Sequence, residues 1–586
     1  MRTRCIQEEG TMKGIWVSSA VALAILAVIS AAAFNDRQGL NAKLSERIVD
    51  GALLTAGVSN EQGQALLGFS ETPAPYEQLL VTHPPVDAIY PHSFPPVRIQ
   101  WSDQRTGRLY RVVVKSGDTV LFRGVTDKHE IHPHSESWDT LKSAGGRLDI
   151  EISSARVAPN GQIQSDVTTD TSSKFTLAPE ADNPTGMLLF GAKHRPADKP
   201  LGTVSLLTMH LQIEGLDLEK MEHRILFRSS EGPQPTQVHP GRMERERGGG
   251  RPGDEGPDSN EKNREDEGGG DKEGPGNNDP HAGGDTEITS TQCVSCHALS
   301  SNGEYIAVFS QAAEEAPPEF DAPNGFLTVL KMPERKILIQ LPHAFMPQFN
   351  PKDPNLLAFG QVDETIGVKD QMMVRKSDIH VLDLTTGKHQ AVPGAAKKDR
   401  VENLPYWSPD GKRITFIRTK PGQMWHGAAG HLDLAWVEYN DGKGGEAHPL
   451  TGGSNNNRSN FLPVYSPDGK WIVFTQADQG FFSQESSDLY IVPSDGGKAR
   501  RMNCNSSHTE SWHRFSPDGK WMAVVTNRED IRRPHIYLSR FNTQDGTCTP
   551  AVQMPAVAGM GAHTHAFSWT RRFDWLTQYE RINAFQ

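Results

Sequence analysis

The sequence predicts an all-β protein in four parts: an N-terminal membrane segment, a small β-sandwich, a disordered acidic linker and a six-bladed β-propeller. Three observations carry this prediction. A turn motif recurs at nearly regular spacing through the C-terminal half, short apolar runs between turn residues fill the region before it, and a stretch without aromatic residues separates the two.

Residues 14–34 are uncharged and rich in Ala, Val, Ile and Leu, with Arg2, Arg4 and Lys13 before them and Asn35-Asp36-Arg37 after. A run of about 20 apolar residues spans a bilayer core, and the basic flank sets its orientation. Residues 1–40 are therefore expected to form a signal anchor, single-pass in a bacterial inner membrane, with the rest of the chain in the periplasm. Ala31-Ala32-Ala33 also offers small residues for cleavage, which would release the chain to the periplasm. Residues 35 to about 80 are weakly patterned and read as a spacer.

Residues 81–230 form the expected sandwich domain. Runs at 97–101, 109–114, 119–123, 147–153, 173–177 and 225–227 are strand-length, several alternate, and turn residues lie between them. The pattern resembles the fibronectin type III or immunoglobulin class of sandwich. His129, His132 and His134 cluster around Pro133, a solvated loop more readily than a metal site.

Residues 231–290 form the linker. Between 241 and 290 there are 13 Gly, 14 Asp plus Glu and 7 Lys plus Arg, with no aromatic residue. Such a segment buries too little apolar surface to offset its ordering entropy. It is expected to be disordered and to lend mobility to the C-terminal half of the chain.

Residues 291–586 carry the repeat. Trp407-Ser-Pro-Asp-Gly-Lys412, Tyr465-Ser-Pro-Asp-Gly-Lys470 and Phe515-Ser-Pro-Asp-Gly-Lys520 each precede an apolar run. Proline presets φ, Asp bonds the local backbone and Gly takes a positive φ, so the motif turns one strand into the next. Degenerate copies at Ser300, Asn350 and Ser568 extend the series to spacings of 50, 58, 58, 50 and 52 residues, a period that fits propeller blades. The signature resembles the TolB-like six-bladed propeller family over residues 291–586, which implies a scaffold suited to protein docking. Too few residues follow Phe567 for a full sixth blade, so a strand from elsewhere, such as 224–228, is expected to complete the ring.

Cys293-Val294-Ser295-Cys296-His297 reads C-x-x-C-H. Two thiols at this spacing add to the vinyl groups of a haem, and the adjacent imidazole reaches the iron. A zinc half-site needs a second close Cys/His pair, which Cys5, Cys504 and Cys548 do not supply. A thioredoxin-like pair needs a βαβ context, whereas the run after the motif is a strand. The motif therefore predicts one covalent haem c, with His297 as the proximal ligand. His297 lies three residues before Ser300, and the same offset from the other turns gives Pro347, Pro405, Pro463, His513 and His565. Blades six and one adjoin on a closed ring, which makes His565 a candidate sixth ligand, with His563 beside it. Met346 is the candidate from blade two, and would raise the reduction potential relative to a second His.

These features predict an envelope c-type cytochrome that transfers electrons to redox partner proteins, a carrier before an enzyme. The first alternative is a haem enzyme with an open iron site and His343, His426, His431 or His513 carrying protons. The second is an interaction module without redox work. A net charge of −12 and a pI near 6.0 argue against nucleic acid as a partner. Cys504 and Cys548 read equally as a disulfide or as two buried thiols.

Overall fold

A computed structural model describes residues 45–69, 73–194, 210–227, 294–310, 326–368, 371–424, 430–480, 485–528, 534–555, 562–579 and 581–582. The predicted membrane segment, the predicted linker and Cys293 lie outside these residues. Among the described residues no helix is long and apolar enough to cross a membrane.

The C-terminal half is a ring of antiparallel sheets. Inner strands at Val294–Leu299, Ala344–Phe349, Val401–Trp407, Ser459–Tyr465 and Glu510–Phe515 open blades one to five. Each pairs with the strand beyond its turn. The inner strand of blade six is Ala562–Thr570. Each inner strand packs against the next, and that of blade six packs against that of blade one, so the ring closes.

The turns form as their chemistry predicts. Ser408, Ser466 and Ser516 each donate through Oγ to Asp410, Asp468 and Asp518 at 2.5, 2.6 and 2.6 Å. Each hydroxyl also accepts the backbone N–H of the first residue after the turn, at 2.9, 3.0 and 2.9 Å. The degenerate first copy keeps this arrangement, with Ser300 Oγ donating to Asn302 at 2.7 Å and accepting from Tyr305 N at 2.9 Å. In blade two Asn350 replaces the serine, and its Oδ1 caps the N–H groups of Lys352 and Asp353. The motif is thus a self-contained hydrogen-bonded unit, which is why it survives in blades of otherwise different sequence.

Blade six is completed from before the linker, but not as the sequence suggested. The direct partner of Ala562–Thr570 is Met187–His194, followed outward by His210–Asp217, Glu222–Phe227 and Arg581–Ile582. The expected strand near 224–228 is present two positions further out. The boundary placed at residue 230 is corrected accordingly: residues 187–194 and 210–227 belong to the propeller. Met187, Leu189, Ile213, Leu226 and Phe227 form a separate apolar cluster with Ile306, Val308, Leu330 and Met332 of blade one.

The N-terminal domain has two sheets, as expected, but starts earlier and is not of the antiparallel fibronectin or immunoglobulin arrangement. Its eight-stranded sheet runs Arg47–Val49, Ala52–Leu54, Thr119–Thr126, Leu109–Ser116, Gly146–Ala155, Thr168–Leu177, Ala74–Pro75, with Ala88–Tyr90 also on Thr168–Leu177. Leu53↔Gly124 and Phe175↔Ala88 are parallel pairings. The second sheet holds Leu80–His83, Ile99–Ser102 and Glu130–Ile131. Residues 45–80, expected to be a spacer, therefore contribute strands and a helix, Asn60–Leu67, whose Ser59 and Gln62 form a reciprocal capping box. This domain docks on blade five through Asp182, whose carboxylate accepts from Lys520 Nζ at 2.6 Å and Arg540 Nη2 at 3.1 Å. The Asp182 carbonyl accepts from Trp521 Nε1 at 2.7 Å.

Gly186 opens the strand that completes blade six, with φ +88°, and a Cβ there would lie 2.1 Å from the Thr570 carbonyl oxygen. Gly387, at φ +67°, has open space around it. Gly186→Ala is expected to lower unfolding free energy by more than Gly387→Ala, by at least about 1 kcal/mol over the shared backbone strain. Urea unfolding of both variants checks this, and equal losses would contradict the closure described.

Candidate functional site at the blade one and blade six junction

Cys296 and His297 lie on the inner strand of blade one, next to that of blade six. Their backbone pairs with Tyr305–Ser310, His297 opposite Val308 and Ala298 opposite Ala307, and the register slips between Val294 and His297. The same slip recurs between Phe345 and Gln348, Asn403 and Tyr406, Phe461 and Val464, and Ser511 and His513. A bulge puts two residues opposite one and re-aims side chains at the inner rim. In blades two to five the bulged residue has positive φ without being glycine: Met346 at 53°, Leu404 at 50°, Leu462 at 53° and Trp512 at 41°.

This register sharpens the equivalences drawn from sequence. Met346 lies four residues before Asn350, as Cys296 lies four before Ser300, so Met346 corresponds to Cys296 rather than to His297. Both are buried, Cys296 at 3 % and Met346 at 5 % exposure, and His297 at 1 %. His513 shares the ring position of His297. It is buried, and its Nε2 donates to the Val473 carbonyl at 2.9 Å, across the interface to the second strand of blade four. A histidine at that ring position can therefore span two blades.

The structure brings the backbones of the predicted site residues together. His297 and Met346 stand on adjacent inner strands, as do His297 and His565. His565 pairs with Gly191, and His563 with Ala192. The side chains of His563 and His565, and His426 altogether, lie outside the described residues. Among the described residues no group of three or more His, Cys, Asp or Glu is placed to hold a metal. His129 and His134 instead bond singly, to the Tyr110 hydroxyl at 2.8 Å and to Glu46 at 3.5 Å.

Several buried polar groups went unnoticed in the sequence. Glu214 and His223 of blade six, both with side chains at 0 % exposure, approach to 2.5 Å. Glu402 of blade three and Glu510 of blade five pair with Arg418 at 2.8 Å and Arg528 at 3.0 Å. Glu402, Asn460 and Glu510 all lie six residues before a turn serine, so the repeat alignment contained the signal. His380 and His389 meet through Nδ1 at 3.0 Å on the outer strands of blade two, and burial lowers both pKa values, His380 to about 4.

No family model matches the chain. It is 27% identical over 123 residues, 21% of its length, to a protein named uncharacterized peptidase YuxL from Bacillus subtilis. The chain spans less than half the length of the curated relatives it matches, 17% and 48%. Among solved structures it resembles a putative TolB from Agrobacterium tumefaciens, with 20% identity and a TM-score of 0.31, covering 45% of this chain and 84% of that one. It also resembles the β-propeller domain of the Trilobed protease from Pyrococcus furiosus, with 14% identity and a TM-score of 0.29, covering 46% and 73%. Both identities are below 25%, and the propeller architecture is established by this chain's own strand order and ring of inner strands.

Burial holds the His513 pKa down to about 3 from an ordinary 6.5, partly offset by the Val473 carbonyl. The folded value lies below the unfolded one, so the neutral form stabilises the fold. That contribution is complete above about pH 6.5 and is lost as pH falls towards 3. In His513→Gln, which keeps a donor for Val473, the urea midpoint is expected to depend less steeply on pH across this window than in the parent chain. An unchanged slope would contradict the burial of a neutral imidazole.

Proposed function

We propose that the chain is a c-type cytochrome of the cell envelope, whose TolB-like propeller carries one haem and delivers electrons to partner proteins. Cys293 and Cys296 would hold the haem through thioether bonds and His297 would bind its iron. The observation that carries this is the position of the motif: C-x-x-C-H runs into the innermost strand of blade one, beside strands bearing His565 and Met346.

The donor set fits the group in kind, with two thiols at vinyl spacing and an imidazole next in the chain. Haem bound there supplies one-electron transfer. The protein's own residues would exclude water at the ring junction, and His565 from blade six or Met346 from blade two would help hold the group together with His297. Cys296 and His297 are almost fully buried by their neighbours, so a loaded chain must repack the seam between blades one and six. The N-terminal segment would anchor the assembly in the inner membrane. TolB-like architecture favours docking of protein partners on the propeller faces.

Purified full-length chain, matured with haem-attachment machinery, is expected to give a thioether-type pyridine haemochrome spectrum with one haem per chain. His297→Ala should abolish the low-spin spectrum. A weak near-infrared charge-transfer band lost in Met346→Ala identifies Met346 as sixth ligand, whereas His565→Ala changes the spectrum if the iron is bis-His. A high-spin parent spectrum favours the alternative of an enzyme with an open iron site. Absence of covalent haem overturns the proposal.

A further inference from the structure

Cys504 and Cys548 face one another at the seam between blades four and five. Cys504 lies just beyond the outer strand of blade four, Arg500–Arg501, and Cys548 ends the outer strand of blade five, Thr547–Cys548, opposite Phe541. The side chains are buried, at 0 % and 7 % exposure. Both are free thiols, and the Cys504 backbone N–H donates to Cys548 Sγ at 3.1 Å.

We infer that Cys504 and Cys548 are a reversible dithiol–disulfide pair, with Cys548 as attacking thiol and Cys504 as resolving thiol, that staples blade five to the connection from blade four. The pair is asymmetric in exposure and in hydrogen bonding. Cys548 is the more exposed of the two. The Cys504 backbone N–H donates to its sulfur at 3.1 Å, and hydrogen bonding from Cys504 holds its pKa below the ordinary value against the opposing effect of burial. Cys504 is the donor and fully buried, which pushes its own thiol up. Exposure and hydrogen bonding together favour Cys548 over Cys504 as the attacking sulfur.

Chain neighbours of the two cysteines, though not the sulfurs themselves, border open space. Arg501, Met502 and Asn503, immediately before Cys504, and Pro550, two residues beyond Cys548, line a cleft of roughly 560 Å³ with Val86 and Asp87 of the N-terminal domain. The co-reactant is a small disulfide such as oxidised glutathione, which would reach Cys548, the more exposed sulfur, from the side of this cleft. Cys548 thiolate attacks one of its sulfurs, the S–S bond of the reagent breaks, and one small thiol leaves. Cys504 then loses its proton, its sulfur attacks Cys548, and the second small thiol leaves. Two protein thiols are oxidised and one small disulfide is reduced to two thiols. The new bond spans 44 residues, including the inner three strands of blade five. Closing a loop of that size restricts the unfolded chain, so the oxidised form is the harder to unfold.

The test uses the full chain, equilibrated with oxidised glutathione, quenched with N-ethylmaleimide and digested for mass spectrometry. A cross-linked peptide containing Cys504 and Cys548, undone by dithiothreitol, is expected, with a higher urea midpoint before reduction than after. In Cys504→Ser, Cys548 should accumulate as the glutathione mixed disulfide at least tenfold more than Cys504 does in Cys548→Ser. Recovery of both cysteines as alkylated thiols overturns the pair, and trapping at Cys504 instead overturns the assignment of roles. These peptides are separate from Cys293 and Cys296, so the result stands independently of haem loading.

Discussion

The pairing of Met187–His194 with Ala562–Thr570 is the contact on which the molecule depends. A propeller blade is stable only between two neighbours, because both its faces are apolar. Left open, the ring would expose the flank of blade one and leave the inner strand of blade six an unpaired edge. Closure is reinforced from the same region: Trp569 Nε1 donates to the Thr185 carbonyl at 2.9 Å across 384 residues, and Arg572 pairs with buried Asp217 at 2.9 Å. Trp575 reaches the Gly303 carbonyl of the first turn at 3.2 Å. Since Gly186 comes within a few residues of Asp182, the clasp also fixes where the N-terminal domain sits.

Within the ring, two local devices are repeated. The Ser-Pro-Asp-Gly turn satisfies its own backbone and side-chain groups, so it asks little of its surroundings. The inner-strand bulge does the reverse. It holds Met346, Leu404, Leu462 and Trp512 at positive φ, a conformation that costs free energy for these side chains and is sustained by packing in the shared core. The C-x-x-C-H motif falls on this second device, at the blade whose neighbour is the clasp. A cofactor there would sit where the chain's two distant segments meet, so its binding and ring closure should be coupled.

The same distinction explains how much of the molecule was legible in the sequence. Turn residues write a local code: three copies of Ser-Pro-Asp-Gly align from sequence alone, and degenerate copies at Ser300, Asn350 and Ser568 extend them to six. Strands at 109–116, 119–126 and 146–155 announced themselves as strand-length apolar runs between turn residues, with clear alternation in the last. Blade six did not, because the partners of Ala562–Thr570 lie hundreds of residues away and no local pattern records a long-range pairing. Residues 187–194, Met-Leu-Leu-Phe-Gly-Ala-Lys-His, are an apolar run whose role emerges only once the ring is built. The helix at Asn60–Leu67 was missed although Ser59 and Gln62 spelled its capping box, since its few apolar residues give a weak helical pattern. At the candidate site, sequence offsets placed His297 with His513, and the same offsets, taken one residue further, set Met346 against Cys296, an equivalence the shared bulge bears out.

A covalent cofactor on the first blade, at the closure seam, is the central claim. Tandem mass spectrometry of the peptide containing residues 293–297, from full-length chain matured with haem-attachment machinery, tests it most directly. One haem joined to both Cys293 and Cys296 is the predicted result. Recovery of that peptide with both cysteines alkylatable and no haem attached would contradict it.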